Sequence, residues 1–229
     1  MDLTDALRTT GSIRAFLDQS VSDDVLYAIL DDARFAPSGG NRQAWRVIIV
    51  KDERRRRAVR DLYLDGWHDY VAHVLAGLIP FSPLASDEDR ALAASQRTAA
   101  IAVSQPEGFP ETLDQVPVML VVCADLAALA ATDRDLGRYQ IAGGASIYPF
   151  VWNVLLAARA RGLGGVMTTI ATRNEAGVRE ALDIPQDQIV ASIVALGYPA
   201  SRATKLKRRA VEEFTATDTF DGDRFNPEG

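Results

Sequence analysis

Four places in the chain combine residue types that could hold a ligand. Ser12 and Arg14 set a hydroxyl and a guanidinium within three residues, a pairing suited to a phosphate or to the polar edge of a flat heterocycle. In Pro37-Ser38-Gly39-Gly40-Asn41 the glycines carry no Cβ, so backbone there could approach a planar ligand closely; the plainer reading is an ordinary helix-to-strand turn. Gly162-Leu163-Gly164-Gly165 invites a dinucleotide-loop reading, but it lacks a third glycine and precedes a strand instead of opening a helix, so that reading is rejected. Lys205, Lys207, Arg208 and Arg209 concentrate positive charge in a chain of net charge -6, as a solvated tail or as a phosphate clamp.

Other chemistry is argued against by the same residue types. His68 and His73 are the only histidines, and a spacing of five puts them on different sides of a helix, so no metal site is expected. Cys123 is the single cysteine and follows the apolar run 118–122; it cannot form an intramolecular disulfide and reads as a buried small hydrophobe. The acidic balance argues against nucleic acid as the main partner. The N-terminus is charged where a secretion signal would be apolar, and no apolar run reaches the ~18 residues of a membrane span, so no membrane partner and a cytoplasmic location are expected.

The elements that must position these residues alternate along the chain. Residues 2–9 read as a short helix, and Ser22 caps a helix to about Phe35 with Val25, Leu26, Ile29, Leu30 and Ala33 on its buried stripe. Residues 45–50 read as a strand, and residues 52–64 as a helix on which Arg54 to Arg57 form a solvated face. Residues 65–115 carry a weaker signal, with Trp67, Tyr70, Phe81 and Phe109 among prolines and alanines, and read as a functional lid. Residues 116–123 make a second strand. Residues 141–161 read as a long helix, apolar nearly all round, suited to the core or to a subunit interface. A third strand follows the Gly-Leu-Gly-Gly turn, Thr172 and Glu175 suggest a capping box for a helix ending near Leu182, and residues 189–196 make a fourth strand. With 229 residues, 48% hydrophobic and no linker, one domain spanning residues 1–229 is expected, with the lid at about 65–115 and a basic tail from about 203.

Taken in order, the motifs resemble the nitroreductase family. The resemblance is carried by Ser12-Ile13-Arg14-Ala15-Phe16, by Ala36-Pro37-Ser38-Gly39-Gly40-Asn41-Arg42-Gln43-Ala44-Trp45, and by Ala157-Ala158-Arg159-Ala160-Arg161-Gly162-Leu163-Gly164. Leu182-Asp183-Ile184-Pro185, Ala195-Leu196-Gly197-Tyr198-Pro199 and Arg208-Arg209-Ala210-Val211-Glu212-Glu213 continue it, so that it covers roughly residues 7–50 and 116–214. Two departures from the pattern stand out: Thr10 and Gly11 stand where a basic residue is usual, and Ala44 replaces a proline.

That resemblance implies an α+β fold with a mainly antiparallel central sheet flanked by helices, a homodimer formed through the long apolar helix, and two FMN sites at the interface. It implies that Ser12, Arg14 and Arg208, with Lys205 and Lys207, lie near the phosphate, ribityl chain or N1/C2 edge. Pro37, Ser38, Gly39 and Asn41 would follow the pyrimidine side, and Met167, Thr168 and Thr169 would pass N5 with a backbone N–H or hydroxyl as donor. The implied activity is ping-pong reduction of nitroaromatic, quinone or similar small-molecule acceptors at the expense of NADPH or NADH, with the flavin doing the chemistry and no acid/base dyad. Tyr63, Trp67, Tyr70, Phe81 and Phe109 would stack on acceptors or pack the lid. A flavin-sequestering protein is the alternative of another class. Reductive dehalogenation ranks below both, because no lysine lies between Lys51 and Lys205 to help grip an amino-acid zwitterion.

Overall fold

Four apolar runs rich in β-branched residues become four strands: β1 (Trp45–Ile49), β2 (Val118–Asp125), β3 (Gly164–Thr168) and β4 (Gln188–Gly197). In the computed structural model, which describes residues 2–202 and 205–226, they pair antiparallel throughout in the order β1-β2-β4-β3. Both faces of the sheet are covered, which is why β2 and β4 read as unbroken apolar runs instead of alternating ones. The register carries Ile49, Leu120, Val194 and Met167 across the sheet in one row, so β1 and β3 are opposite edges.

The two faces make two cores. Helices α2 (Asp23–Ala33) and α6 (Tyr148–Ala160) bring Leu26, Ile29, Val151 and Val154 against Leu120, Val122, Val194 and Leu196. On the other face α3 (Glu53–Leu75) and α7 (Glu175–Ala181) bring Val59, Tyr63 and Val178 against Met119, Val121, Cys123 and Ile193. Each such aliphatic contributes about 1.5–3 kcal/mol on leaving water, so the sheet is held chiefly by these two layers. Helix α1 (Leu3–Thr9) abuts α6, and α4 (Asp87–Ser95) and α5 (Arg97–Ala102) rest on α3. Ser22 caps α2 as expected, its Oγ accepting from the Val25 N–H at 3.4 Å.

Four expectations are corrected. The helix read as ending at Leu64 runs on to Leu75, and so includes Trp67 and Tyr70. Gly66 does not break it, because the missing side chain lets α3 pack on the backbone of Ile170, an approach a Cβ would close to 2.9 Å. That packing outweighs the ~1 kcal/mol helix cost of a glycine. The long helix read over 141–161 begins only at Tyr148, after a 3-10 segment Ala142–Ser146. Pro149 explains the break, since its ring would collide with the carbonyl four residues back in a continuous helix but suits a first turn. The Thr172–Glu175 capping box does not form: Thr172 Oγ donates to the Thr169 carbonyl at 2.8 Å, and the Glu175 carboxylate accepts from the Val190 N–H at 2.6 Å. Finally, Arg56 leaves the solvated face. It is buried, and its guanidinium donates to the carbonyls of Val50 (2.9 Å), Asp114 (2.7 Å) and Val116.

Cys123 is buried on the α3 face, and loss of solvent pushes its thiol from the ordinary 9.0 up to about 11. No helix among the described residues is long and apolar enough to cross a membrane.

Candidate functional site

Residues 12–16 leave α1 and run along the outer edge of β3. The Ile13 N–H donates to the Gly165 carbonyl at 2.9 Å, Ser12 bridges Gly165, and Phe16 bridges Pro199. The Gly-Leu-Gly-Gly turn serves this approach: a Cβ on Gly164 would stand 2.6 Å from Ile13 Cγ1. Ser12 and Arg14 are thereby held beside β3 and exposed, and Arg14 has no hydrogen bond or ion pair among the described residues. Its charge nonetheless reaches Tyr63.

Tyr63 ties the end of β3 to α3. It is 2% exposed, and the Thr168 hydroxyl donates to its oxygen at 3.4 Å while accepting from the Ile170 N–H at 3.5 Å. Burial pushes the Tyr63 phenol above its ordinary value, against a smaller opposing pull from Thr168 and Arg14, so it stays neutral at physiological pH. Met167 is 38% exposed, Thr168 half-buried and Thr169 exposed. An apolar cavity of about 910 Å³ opens beside Thr169, walled by Tyr139, Ile147, Tyr148 and Ile189.

The tail joins this corner. Leu206 lies against Gly11, where a Cβ would come within 3.0 Å of it, which brings the chain at Lys205 and Lys207, on either side of Leu206, close to Gly11. Lys205, Lys207 and Arg208 are exposed, and Arg208 donates only to the neighbouring Lys207 carbonyl, at 2.7 Å. Residues 203 and 204, at the start of the tail, lie outside the described residues, as do residues 1 and 227–229.

Pro37, Ser38, Gly39 and Asn41 are elsewhere. Their turn precedes β1, the far edge of the sheet, three strand spacings or about 14 Å from β3. Ser38 Oγ accepts from the Gln43 N–H at 2.9 Å, and the Gly39 N–H donates to Ser146 Oγ at 3.1 Å. Gly40, Asn41 and Gln43 hold φ at 61°, 52° and 51°, left-handed values natural to glycine and tolerated by asparagine, so that only Gln43 needs surrounding contacts to impose its conformation. The chain therefore assembles Ser12, Arg14, Met167, Thr168, Thr169 and the tail at one edge, and leaves the 37–41 turn at the other.

The lid aromatics divide as well. Trp67 stacks on Tyr70 at 5.0 Å and packs with Phe109 on the second core, Phe109 meeting Tyr63 edge-on at 6.3 Å. Phe81 lies 6.5 Å from Tyr70 and 4.9 Å from His73. It lines a second cleft of about 380 Å³ with His73, Arg90 and Arg173. Arg173, His73 and Ser146 were not singled out by the sequence, and only the position of Arg173 four residues after Thr169 could have drawn attention to it. Among the described residues no group of three or more His, Cys, Asp or Glu is placed to hold a metal ion.

Comparison with known proteins bears on the family and the fold. The model of the nitroreductase family matches residues 7–198. The chain is 28% identical over 214 residues to an NADH dehydrogenase of Thermus thermophilus, covering 93% of this chain and 94% of that one. It is 25% identical over 221 residues to the nitrobenzene nitroreductase of Ectopseudomonas oleovorans, covering 93% and 95%. A solved mutant of the FMN and NADPH-dependent nitroreductase NfnB, from sphigopyxis sp. strain HMH, superposes with a TM-score of 0.64 at 25% identity, covering 96% of this chain and all of the other (100%). The all-antiparallel sheet, the Ser12 and Arg14 segment beside β3 and the family model over most of the chain lead to one conclusion: this protein belongs to the nitroreductase family.

Proposed function

We propose that the protein is an FMN-dependent NAD(P)H oxidoreductase that reduces electron-poor acceptors such as nitroaromatics and quinones. The observation that carries this reading is Arg14, an exposed guanidinium with no protein partner among the described residues, held beside β3, the strand that leads into Thr169 on the wall of an apolar cavity of about 910 Å³. A flat, partly anionic cofactor needs that combination of apolar walls and one local cation, and the residues present fit FMN. The relatives named for nitrobenzene reduction and for FMN with NADPH support the same chemistry.

When bound, FMN supplies hydride acceptance and delivery at N5. Arg14 would balance negative charge at the ring's N1 edge, and Ser12, Lys205, Lys207 and Arg208 would attract the phosphate. Thr168 and Thr169 would lie near N5; because the Thr168 hydroxyl already donates to Tyr63, a backbone N–H or the Thr169 hydroxyl would be the donor there. Pro37, Ser38, Gly39 and Asn41 of one protomer would close the site of its partner in a homodimer, since a single chain holds them at the opposite edge of the sheet. Of Trp67, Phe81 and Phe109, the bulky aromatics a flavin-sequestering lid would use, Trp67 and Phe109 pack on the second core and Phe81 lies against Tyr70, His73 and Arg173, which favours turnover over storage.

The test is an anaerobic absorbance titration of purified protein with NADPH and then NADH. A flavin band that bleaches, and returns on adding a nitroaromatic or quinone, is the expected result. A band that persists would sink the reductase reading.

A further inference from the structure

The cleft between α3, α4 and the turn after β3 is not used by anything proposed above. The connection between α3 and α4 folds back so that Phe81 meets the last turns of α3, its ring 4.9 Å from His73 and 6.5 Å from Tyr70. Phe81 holds φ at 56°, a left-handed value that a bulky residue keeps only where its contacts over-determine it. The third of those contacts is Arg173, whose guanidinium lies over the Phe81 ring at 4.9 Å. Arg173 comes from the 3-10 turn Ile170–Asn174, which α3 approaches through Gly66.

The charges around Arg173 are already engaged with one another. Asp69 and Asp65 pair with Arg97, Asp65 also accepts from Asn174 at 3.0 Å, and Arg90 pairs with Asp87. Among the described residues Arg173 has no ion pair and no hydrogen bond, and the Phe81 face is its one recorded partner. His73 donates from Nδ1 to the Asp69 carbonyl at 2.8 Å, which leaves Nε2 without a protein partner among the described residues. The cleft thus offers a cation, an aromatic face and an imidazole nitrogen around a volume of about 380 Å³, near the lower end of the roughly 300–1,000 Å³ typical of small-molecule sites. Tyr139 lines both this cleft and the larger cavity that reaches Thr169. From Thr169 to Arg173 the 3-10 turn advances about 8 Å at ~2.0 Å per residue, a span one substituted benzene ring can bridge.

We propose that this cleft binds the carboxylate of a single-ring aromatic acceptor, with Arg173 as counter-charge and Phe81 as the face beside the ring. Calling that ligand an acceptor rests on the reductase reading; its binding does not. In a turnover with para-nitrobenzoate, NADPH gives a hydride and solvent a proton, the nitro group becomes nitroso with loss of one oxygen as water, and the carboxylate is untouched. Arg173 is a specificity residue in this scheme and takes no part in the redox step.

The experiment is calorimetric titration of the FMN-loaded protein with para-nitrobenzoate and with para-nitrobenzamide, without nicotinamide so that nothing is reduced. The carboxylate is expected to bind roughly 10-fold or more tighter than the amide, the effect of one charge-assisted contact. Arg173→Gln should bring the ratio to about one, and Arg173→Lys should keep part of it. Equal binding of the two ligands by the parent protein, binding of neither, or a preference that survives Arg173→Gln would each overturn the proposal. Phe81→Leu, expected to weaken both ligands alike, provides a second variant should Arg173→Gln fail to fold; a Phe81→Leu protein that bound both as the parent does would count against the site. Selective binding in a protein that NADPH cannot bleach would keep this site and remove the reductase reading. Reduction of both compounds with no difference in binding would do the reverse.

Discussion

Arg14 and Cys123 show what a single residue's surroundings decide. Arg14 is set beside β3 by the Ile13 hydrogen bond and finds no carboxylate among the described residues, so its charge is available to a ligand. Arg14→Ala should weaken FMN binding by about 2 kcal/mol, roughly 30-fold, in a fluorescence titration, while leaving the melting temperature little changed. Protein that purified as yellow as the parent would remove Arg14 from the site. Cys123 makes a prediction of opposite kind. Its folded thiol titrates at about 11 against an ordinary 9.0, so the unfolded chain loses this proton first. The neutral thiol's contribution is fully present below pH 9 and is lost as pH rises from 9 towards 11. Urea midpoints at pH 8 and pH 10 should therefore fall further for the parent than for Cys123→Ala, and equal falls would mean the thiol is not shielded. Both residues were legible in the sequence, because Arg14 belongs to a local motif and Cys123 follows an apolar run. Arg173 was not, since the Phe81 ring that holds it comes from a distant connection.

At the scale of elements, the sequence located the strands well and the helix ends poorly. The strands are bounded by turns, and the two central ones, β2 and β4, are buried along nearly their whole length, so composition marks them well. The end of α3 depends on Gly66 meeting the Ile170 backbone, and the start of α6 depends on where Pro149 falls relative to Gly143 and Gly144. Arg56 is the sharper case: in a run of four arginines nothing local distinguishes the one that turns inward. It joins α3 to the residues at the end of β1 and the entry to β2 by binding three carbonyls. Removing it leaves those carbonyls buried without a donor, at about 1–3 kcal/mol each before relaxation. Arg56→Ala should therefore lower stability by about 3 kcal/mol or more in urea denaturation, whereas Arg54→Ala, on the exposed side of the same helix, should change it by less than about 0.5 kcal/mol. Equal effects would mean that the Arg56 contacts carry no stability.

At the scale of the whole molecule, the order β1-β2-β4-β3 could not be read from the sequence, and it is what divides the proposed site. Ser12, Arg14 and Thr169 gather beside β3, while the 37–41 turn sits ahead of β1, with β2 and β4 between them. If one flavin contacts both groups, two chains must supply them, and sedimentation should show a dimer with one FMN per chain. Mixed dimers give a stricter test. Arg14→Ala removes the cation from one group, and Asn41→Asp tolerates the left-handed backbone of the other while placing negative charge beside an anionic cofactor. In a dimer of one Arg14→Ala chain and one Asn41→Asp chain, a shared site puts both lesions into one pocket and leaves the second intact. Half the FMN of the parent dimer should then bind with parental affinity. If each chain instead completed its own site, every pocket would carry one lesion and no fraction would bind as the parent does.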